Sequence, residues 1–287
     1  MNLCNIKEIK PLLERYGFRF SKSMGQNFLI ASWVPQDIAE GSGAGPGYGV
    51  LEIGPGIGCL TKELSALADK VVSVELDKKL IPVLAETLSE CDNVEIINSD
   101  ILKTDIEAVV KEKFEGLTPI ACANLPYNIT TPVLSALIDT GLFESITVMI
   151  QREVAHRICS RPGTADYGAF TVYANYYTEP EILFDVTPDC FIPAPKVTSS
   201  VIRLTKRTAP PAEVENEKLF FSVIKAAFAQ RRKTLVNGLS FAYGSRLSKE
   251  QIINIITSCG FDEKVRGETL GISQFAALSN ALNEALK

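Results

Sequence analysis

Apolar residues recur along this chain with two different periods. From residue 50 onward, short apolar runs alternate with stretches whose apolar positions repeat at helical spacing. VLEI (50–53), KVVSVEL, VEIINSD, TPIACAN and SITVMI have the length and composition of strands. LTKELSALA, KKLIPVLAETLSE, IEAVVKEKF and TPVLSALIDT, the last opened by Thr-Pro, have the period of helices. This alternation predicts a parallel, doubly wound α/β sheet. Ahead of it the pattern predicts a helix over roughly residues 5–16, a polar connector FRFSKSMGQNFL and a Gly-rich loop at 41–49. After residue 165 the rhythm changes: GAFTVYANYYTEPEILFDV and SSVIRLTKR read as β-rich, an antiparallel addition to the sheet. From TAPPAEVENE onward it is helical again, in KLFFSVIKAAFAQRRKTLVNGL, SKEQIINIITSCG and ISQFAALSNALNEAL. Pro210-Pro211 marks a linker, dividing residues 1–207 from a small C-terminal helical domain at 208–287.

At 287 residues the chain is long enough for a full core and a second small domain. Its 46% hydrophobic and 22% charged residues are ordinary for a globular protein. No apolar run reaches the length of a membrane span, and the opening MNLCNIKEIK lacks an apolar signal core. The expectation is a cytoplasmic monomer with no membrane partner. Seven cysteines, widely spaced and without a C-x-x-C pair, argue against a disulfide framework and against a zinc site. Cys59 and Cys122 read as small core fillers. The single histidine, His156, cannot assemble a metal cluster and reads as a helix-surface residue, so no metal is expected.

A net charge of −5 speaks against a nucleic-acid partner, but its distribution does not. Residues 1–195 carry 15 Lys/Arg against 26 Asp/Glu, residues 196–246 carry 10 against 3, and residues 247–287 carry 4 against 5. Basic charge gathered in one segment is what a local phosphate-binding face requires; a solvated helix face reads equally well from composition alone.

Chemistry-bearing residues gather at the strand ends. VLEIGPGIGCLT puts Glu52, Gly54, Gly56 and Gly58 directly after the first strand, where glycines permit a tight turn and a close ligand approach at a helix start. The spacing is E-x-G-x-G-x-G with Pro55 inside it, whereas a dinucleotide-binding loop needs its third glycine one place later, against a pyrophosphate. The loop suits a nucleoside without phosphates. Glu75 ends KVVSVEL at the position of a ribose-binding acid; Asp77 competes for that role but suits a helix cap better. Asp100 ends the third strand, where it suits an adenine amino group or a cap of the following turn equally well. Asn124-Leu125-Pro126-Tyr127 ends the fourth and resembles the [DNS]-P-P-[YFW] signature of methyltransferases that modify exocyclic amines. An adenine N6 amine is a poor nucleophile because its lone pair is delocalised into the ring. The Asn124 side-chain oxygen and the Leu125 carbonyl can hold both amino protons, Pro126 preorganises them, and Tyr127 can stack on the base. The implied methyl donor is S-adenosylmethionine.

In order along the chain, MGQNFL (24–29), EIGPGIGCLT, NLPYNITTPV, FIPAPKVTSS (191–200) and FAQRRKTLVNGL (228–239) resemble the ribosomal RNA adenine dimethyltransferase family, in its bacterial small-subunit branch, over nearly the whole length. Met24 and Ser23 depart from the residues often found before Gly25. The resemblance implies a Rossmann-like S-adenosylmethionine-dependent methyltransferase domain over residues 1–207 and an rRNA-binding helical domain over 208–287. It implies dimethylation of two adjacent adenosines near the 3′ end of 16S rRNA, with a role in ribosome biogenesis. It also implies that Asn27, Leu29, Gly54, Glu75, Asp100 and Asn124 contact S-adenosylmethionine, and that Phe191 stacks on the target adenine opposite Tyr127. Taken without the family, Phe191 before IPAP reads more readily as a core aromatic. Arg231, Arg232 and Lys233 are consecutive, so on a helix they cannot share one face. Their position in the basic segment favours phosphate contacts, and an internal ion pair for one arginine is the competing role.

Three other readings bear on these residues. A large-subunit rRNA methyltransferase of the macrolide-resistance type shares the QNF, glycine and N-[LI]-P-Y motifs, but the long C-terminal segment with FAQRRKTLVNGL favours the small-subunit enzyme. A non-catalytic ribosome-assembly or transcription factor on the same scaffold could lose the acceptor Asn or the glycines, all kept here. A nicotinamide dehydrogenase conflicts with the glycine spacing.

Overall fold

The computed structural model describes residues 1–18, 26–230 and 232–287. The chain divides into two compact units, one of Met1–Ala155 with Glu179–Lys206, the other of His156–Thr178 with Arg207–Lys287. The strands are β1 (Phe28–Leu29), β2 (Tyr48–Ile53), β3 (Lys70–Glu75), β4 (Val94–Asn98), β5 (Thr118–Asn124), β6 (Ser145–Gln151), β7 (Thr178–Val186), β8 (Phe191–Ile192) and β9 (Ser199–Lys206). Seven form one sheet in the order β4-β3-β2-β5-β6-β9-β7. Strands β4, β3, β2, β5 and β6 run parallel, and β9 joins β6 antiparallel with Met149 opposite Val201. The central strands are mostly apolar and largely buried because helices cover both faces of a parallel sheet. The two edge strands, β4 and β7, leave most of their residues partly or fully exposed.

The connectivity creates the crevice. From β2 the chain winds outward through β3 to β4, then returns to lay β5 on the other side of β2. At that reversal the connections leave in opposite directions, opening a cleft outside the carboxyl ends of β2 and β5. Local signals set the helices between them. Asp105 caps Ile106–Lys113 by accepting from the Ala108 N–H at 3.0 Å, and Lys111 and Lys113 sit in its last turn, where the helix dipole favours cations. Gly141 ends Thr130–Thr140 with φ 60°.

The structure departs from the sequence pattern most clearly in three places, besides the short pair β1–β8, whose β1 falls in the stretch read as a polar connector. Trp33–Gly41 is a helix that the pattern did not announce; Val34 and Ile38, one turn apart, are buried in the core shared with Val50 and Ile120. Residues 168–186 are not β-rich throughout, since Ala169–Tyr177 is helical before β7 begins. Val172 and Tyr176, four residues apart, are buried with Phe220 and Leu239, so a helical apolar stripe outweighs the β-propensity of the aromatics. This helix belongs to the second unit, so that unit is more than the C-terminal stretch that resumes at Arg207. Finally, the run 218–239 is two helices, Glu217–Ala229 and Leu235–Tyr243. A turn separates them in which Lys233 N–H donates to the Gln230 carbonyl at 2.8 Å. Arg232 and Lys233 are therefore exposed turn residues, and the helix-face argument does not apply to them. Arg231 lies outside the described residues, as do Ser23, Met24 and Gly25. The two helices meet at Gly238, where a Cβ would come within 2.6 Å of the Ala226 carbonyl oxygen, so only glycine permits that approach.

In the second unit, Phe220, Leu239, Ile252, Phe275 and Leu282 form the buried centre. Ser248 and Gln251 form a reciprocal cap on Lys249–Ser258. Among the described residues no helix is long and apolar enough to cross a membrane.

Candidate active site

The cleft at the carboxyl ends of the strands, with a volume of about 200 Å³, is lined by most of the first-unit residues that the sequence singled out for cofactor and base, Gly58 and Asp77 excepted. Asn27, Leu29, Gly54, Glu75, Asp100, Asn124, Leu125, Tyr127 and Phe191 all contribute to its wall.

The glycine loop supplies the floor. Gly54, Gly56 and Gly58 have φ of 69°, 62° and 92°, a conformation that side chains strain to adopt. At Gly54 a Cβ would meet nothing within 4 Å, which leaves its backbone open to the cleft. Gly58 is the residue before the helix Cys59–Leu67, and a Cβ there would lie 2.9 Å from Leu88 Cδ2.

Glu75 is only 6% exposed, yet it is held in position. The Asp77 N–H donates to its Oε1 at 2.8 Å and the Gly56 N–H to its Oε2 at 3.3 Å. Burial pushes its carboxyl up from the ordinary glutamate value, and these two N–H bonds oppose the shift. Asp77 accepts from the Lys79 N–H at 3.0 Å and from Gln26 Nε2 at 3.0 Å, so it organises the turn after β3. Asp100 caps the turn Ile101–Lys103 by accepting from the Leu102 N–H at 3.1 Å. The cap and the cleft position coexist: one oxygen holds the turn, while the carboxylate stays at the strand end in the cleft wall.

Glu52 lies deeper, 1% exposed, accepting from Ser73 Oγ at 2.6 Å. Burial is the main cause of its pKa rising to about 7, against the lowering effect of the Ser73 bond.

The Asn-Leu-Pro-Tyr segment leaves the sheet abruptly. Leu125 is buried and its N–H donates to the Met149 carbonyl at 3.1 Å, which ties the segment to β6. Pro126 has φ −57° and ψ 131°, and a short turn over Tyr127–Ile129 follows. Asn124 Nδ2 donates over 3.5 Å to the Asn27 carbonyl, a long bond that turns the amide nitrogen toward the QNFL segment. The Tyr127 hydroxyl shares a 2.7 Å hydrogen bond with Ser199 Oγ, and burial raises its pKa. Phe191 is 3% exposed: it pairs with Leu29 across β8 and β1 and packs with Met149 and Val201. It is a core aromatic that also reaches the cleft wall.

Gln26, Leu76, Ser99 and Ile101 line the cleft without having been singled out. Leu76 and Ile101 directly follow Glu75 and Asp100, so the acids at the strand ends were themselves the signal for them.

An open α/β sheet with a positive-φ glycine loop and acids at its strand ends, around a cleft at the topological switch, defines a Rossmann-like methyltransferase fold. The chain belongs to the ribosomal RNA adenine dimethylase family, whose model matches residues 17–283, and it is a methyltransferase. It is 48% identical over 276 residues to the Ribosomal RNA small subunit methyltransferase A of Geobacillus thermodenitrificans, covering 95% of this chain and 94% of that one. The protein of the same name from Alkaliphilus oremlandii is 45% identical over 281 residues, covering 98% of each. Among solved structures, the 23S rRNA methyltransferase ErmE superposes with a TM-score of 0.69 at 26% identity, covering 89% of this chain and 99% of that one. A dimethyladenosine transferase from Plasmodium falciparum shares the fold with a TM-score of 0.74 at 23% identity, covering 90% and 98%.

Proposed function

We propose that this chain transfers methyl groups to the N6 amines of two adjacent adenosines near the 3′ end of 16S rRNA, dimethylating each within the small ribosomal subunit. The observation that carries the reading is the convergence of Asn124-Leu125-Pro126-Tyr127 with the glycine loop, Glu75 and Asp100 on one cleft. The identity to small-subunit enzymes at 45–48%, against 26% to the large-subunit enzyme ErmE, favours the small subunit.

The donor set fits S-adenosylmethionine. Glu75, fixed by two backbone N–H groups, is a ready acceptor for a ribose diol, Asp100 for an adenine amine, and Gly54 opens backbone to the ligand. Asn27, Leu29 and Asn124 complete the wall of this part of the cleft. When bound, S-adenosylmethionine supplies an electrophilic methyl group on its sulfonium. The protein's own work is then to hold and orient the target. The Asn124 amide oxygen and the Leu125 carbonyl accept the two amino protons, drawing the lone pair out of ring conjugation. Tyr127 gives the base a flat platform, and Phe191 offers a second aromatic on the same cleft. As the nitrogen gains the methyl group it becomes cationic and acidic and gives up its proton to solvent, so no strong base is required and alignment supplies most of the gain. Arg231, Arg232 and Lys233 contact rRNA phosphates; the chain acts as a cytoplasmic monomer.

Tritiated S-adenosylmethionine with undermethylated small subunits, large subunits and naked rRNA as acceptors tests the reading. Label is expected in N6,N6-dimethyladenosine of the small subunit. Label in large-subunit RNA alone would move the chain to the other branch.

A further inference from the structure

Phe241 is the most exposed large apolar side chain among the described residues, at 80%. It stands on the helix Leu235–Tyr243 of the second unit, whose buried residues Leu235, Val236, Leu239 and Tyr243 face the core. On the opposite face Asn237 lies one turn before Phe241, and both are exposed. The turn leading into that helix carries exposed Arg232 and Lys233. The Asn237 amide is anchored at the helix start, where its Nδ2 donates to Thr234 Oγ1 at 3.0 Å. The surrounding sequence is free of anions: between Glu217 and Glu250 there are seven Lys/Arg and not one Asp or Glu, in a chain whose net charge is −5.

An isolated exposed apolar residue is unremarkable, but an exposed ring on a segment rich in Lys and Arg and without Asp or Glu has the chemistry of a single-strand nucleic-acid platform. Cations hold the backbone while the ring takes a base face. A protein partner of this acidic chain would meet the same cations, but Phe241 is the only exposed large apolar side chain among the described residues of the second unit, short of the contiguous apolar patch that protein docking needs.

We propose that Phe241 is a stacking platform for an unpaired base of the RNA substrate, with Asn237 beside it and Arg232 and Lys233 as phosphate contacts. This deepens the proposed rRNA reading and rests on it. The residues of this surface belong to the second unit, and those lining the cleft belong to the first.

The test uses the full chain and undermethylated small ribosomal subunits. Phe241→Leu keeps an apolar side chain but removes the ring face, while Phe241→Tyr keeps it. Binding should weaken on the order of tenfold or more for Phe241→Leu and stay near wild type for Phe241→Tyr. The dependence of log affinity on log salt should be unchanged in both, because stacking releases no counterions. The chain has one tryptophan, Trp33, so the double variant Trp33→Phe, Phe241→Trp carries a single reporter. Its fluorescence should be quenched by a single-stranded oligoadenylate and not by a fully paired RNA hairpin. Equal binding by Phe241→Leu and wild type, or no quenching, overturns the platform while leaving the rRNA reading intact. Failure of the wild type to bind subunits at all sinks that reading and the platform with it. A dimer in sedimentation that Phe241→Leu dissociates would assign the ring to self-association instead.

Discussion

Asn124 is the residue on which the chemistry turns most directly. Asn124→Ala removes one of two preorganised acceptors of the amino group, so transfer should fall on the order of 10²–10³-fold with the fold intact. Because Asn124 also borders the cofactor part of the cleft, S-adenosylmethionine affinity is measured alongside; near-normal turnover in a folded variant would remove it from catalysis. Glu75→Ala should weaken S-adenosylmethionine by roughly 1.5–3 kcal/mol, the range for a hydrogen bond to a charged group. Calorimetry reads this directly, and tight binding of NAD by the wild type would reverse the choice of cofactor. Glu52 makes a different prediction, about stability. Its pKa rises from 4.5 to about 7 on folding. Between those values the folded protein binds more protons than the unfolded chain, so its stability falls as pH rises through that window. The loss is on the order of 3 kcal/mol. Glu52→Gln keeps an acceptor for Ser73 and should flatten this dependence. Melting temperatures from pH 5 to 8 compare the two proteins, and a variant with the wild-type slope would assign the effect to another group.

Among the elements, the glycine loop and the helix Cys59–Leu67 matter most, because they set the floor of the cleft. Gly58 combines φ 92° with a Cβ position 2.9 Å from Leu88, so strain and collision act together there. Gly58→Ala should cost at least 1–2 kcal/mol, the left-handed penalty alone, and should also weaken S-adenosylmethionine by tilting the loop. Urea denaturation and calorimetry on one preparation separate the two effects; unchanged stability would mean that Leu88 and the loop yield freely. The split of residues 218–239 into two helices shows the converse. The helical period continues through the break, and it is the turn at Gln230–Lys233 and the close approach at Gly238 that end one helix and start the next.

For the whole molecule, charge is the property that only the full chain displays. An acidic protein must hold a polyanion through a local patch, and the basic excess lies in residues 196–246. Arg231→Glu with Arg232→Glu should weaken small-subunit binding and flatten its salt dependence, since fewer counterions are released. S-adenosylmethionine binding should stay as it was, because the cleft is built entirely from first-unit residues. An internal ion pair predicts a lower melting temperature with an unchanged salt slope, so measuring both on the same protein decides the role.

The alternation of apolar runs determined the parallel sheet, since a strand covered on both faces must be apolar along its length. TPIACAN and ISQFAALSNALNEAL are strand and helix over the very residues the pattern marked. The motifs pointed to the members of the cleft, because in an open α/β sheet the carboxyl ends of the parallel strands lie on the same side. Periodicity was silent where two patterns compete. Ala169–Tyr177 is rich in aromatics that suit either structure, and burial beside Phe220 decided for helix. Tertiary structure decided between readings the sequence left open, making Asp100 both a cap and part of the cleft wall and Phe191 a core aromatic that reaches the cleft, and it alone grouped His156–Thr178 with the C-terminal helices. The Asp100 cap is a local bond to Leu102, but its place in the cleft wall, the burial of Phe191 and the grouping of His156–Thr178 depend on contacts between residues far apart in the chain, which no local pattern encodes.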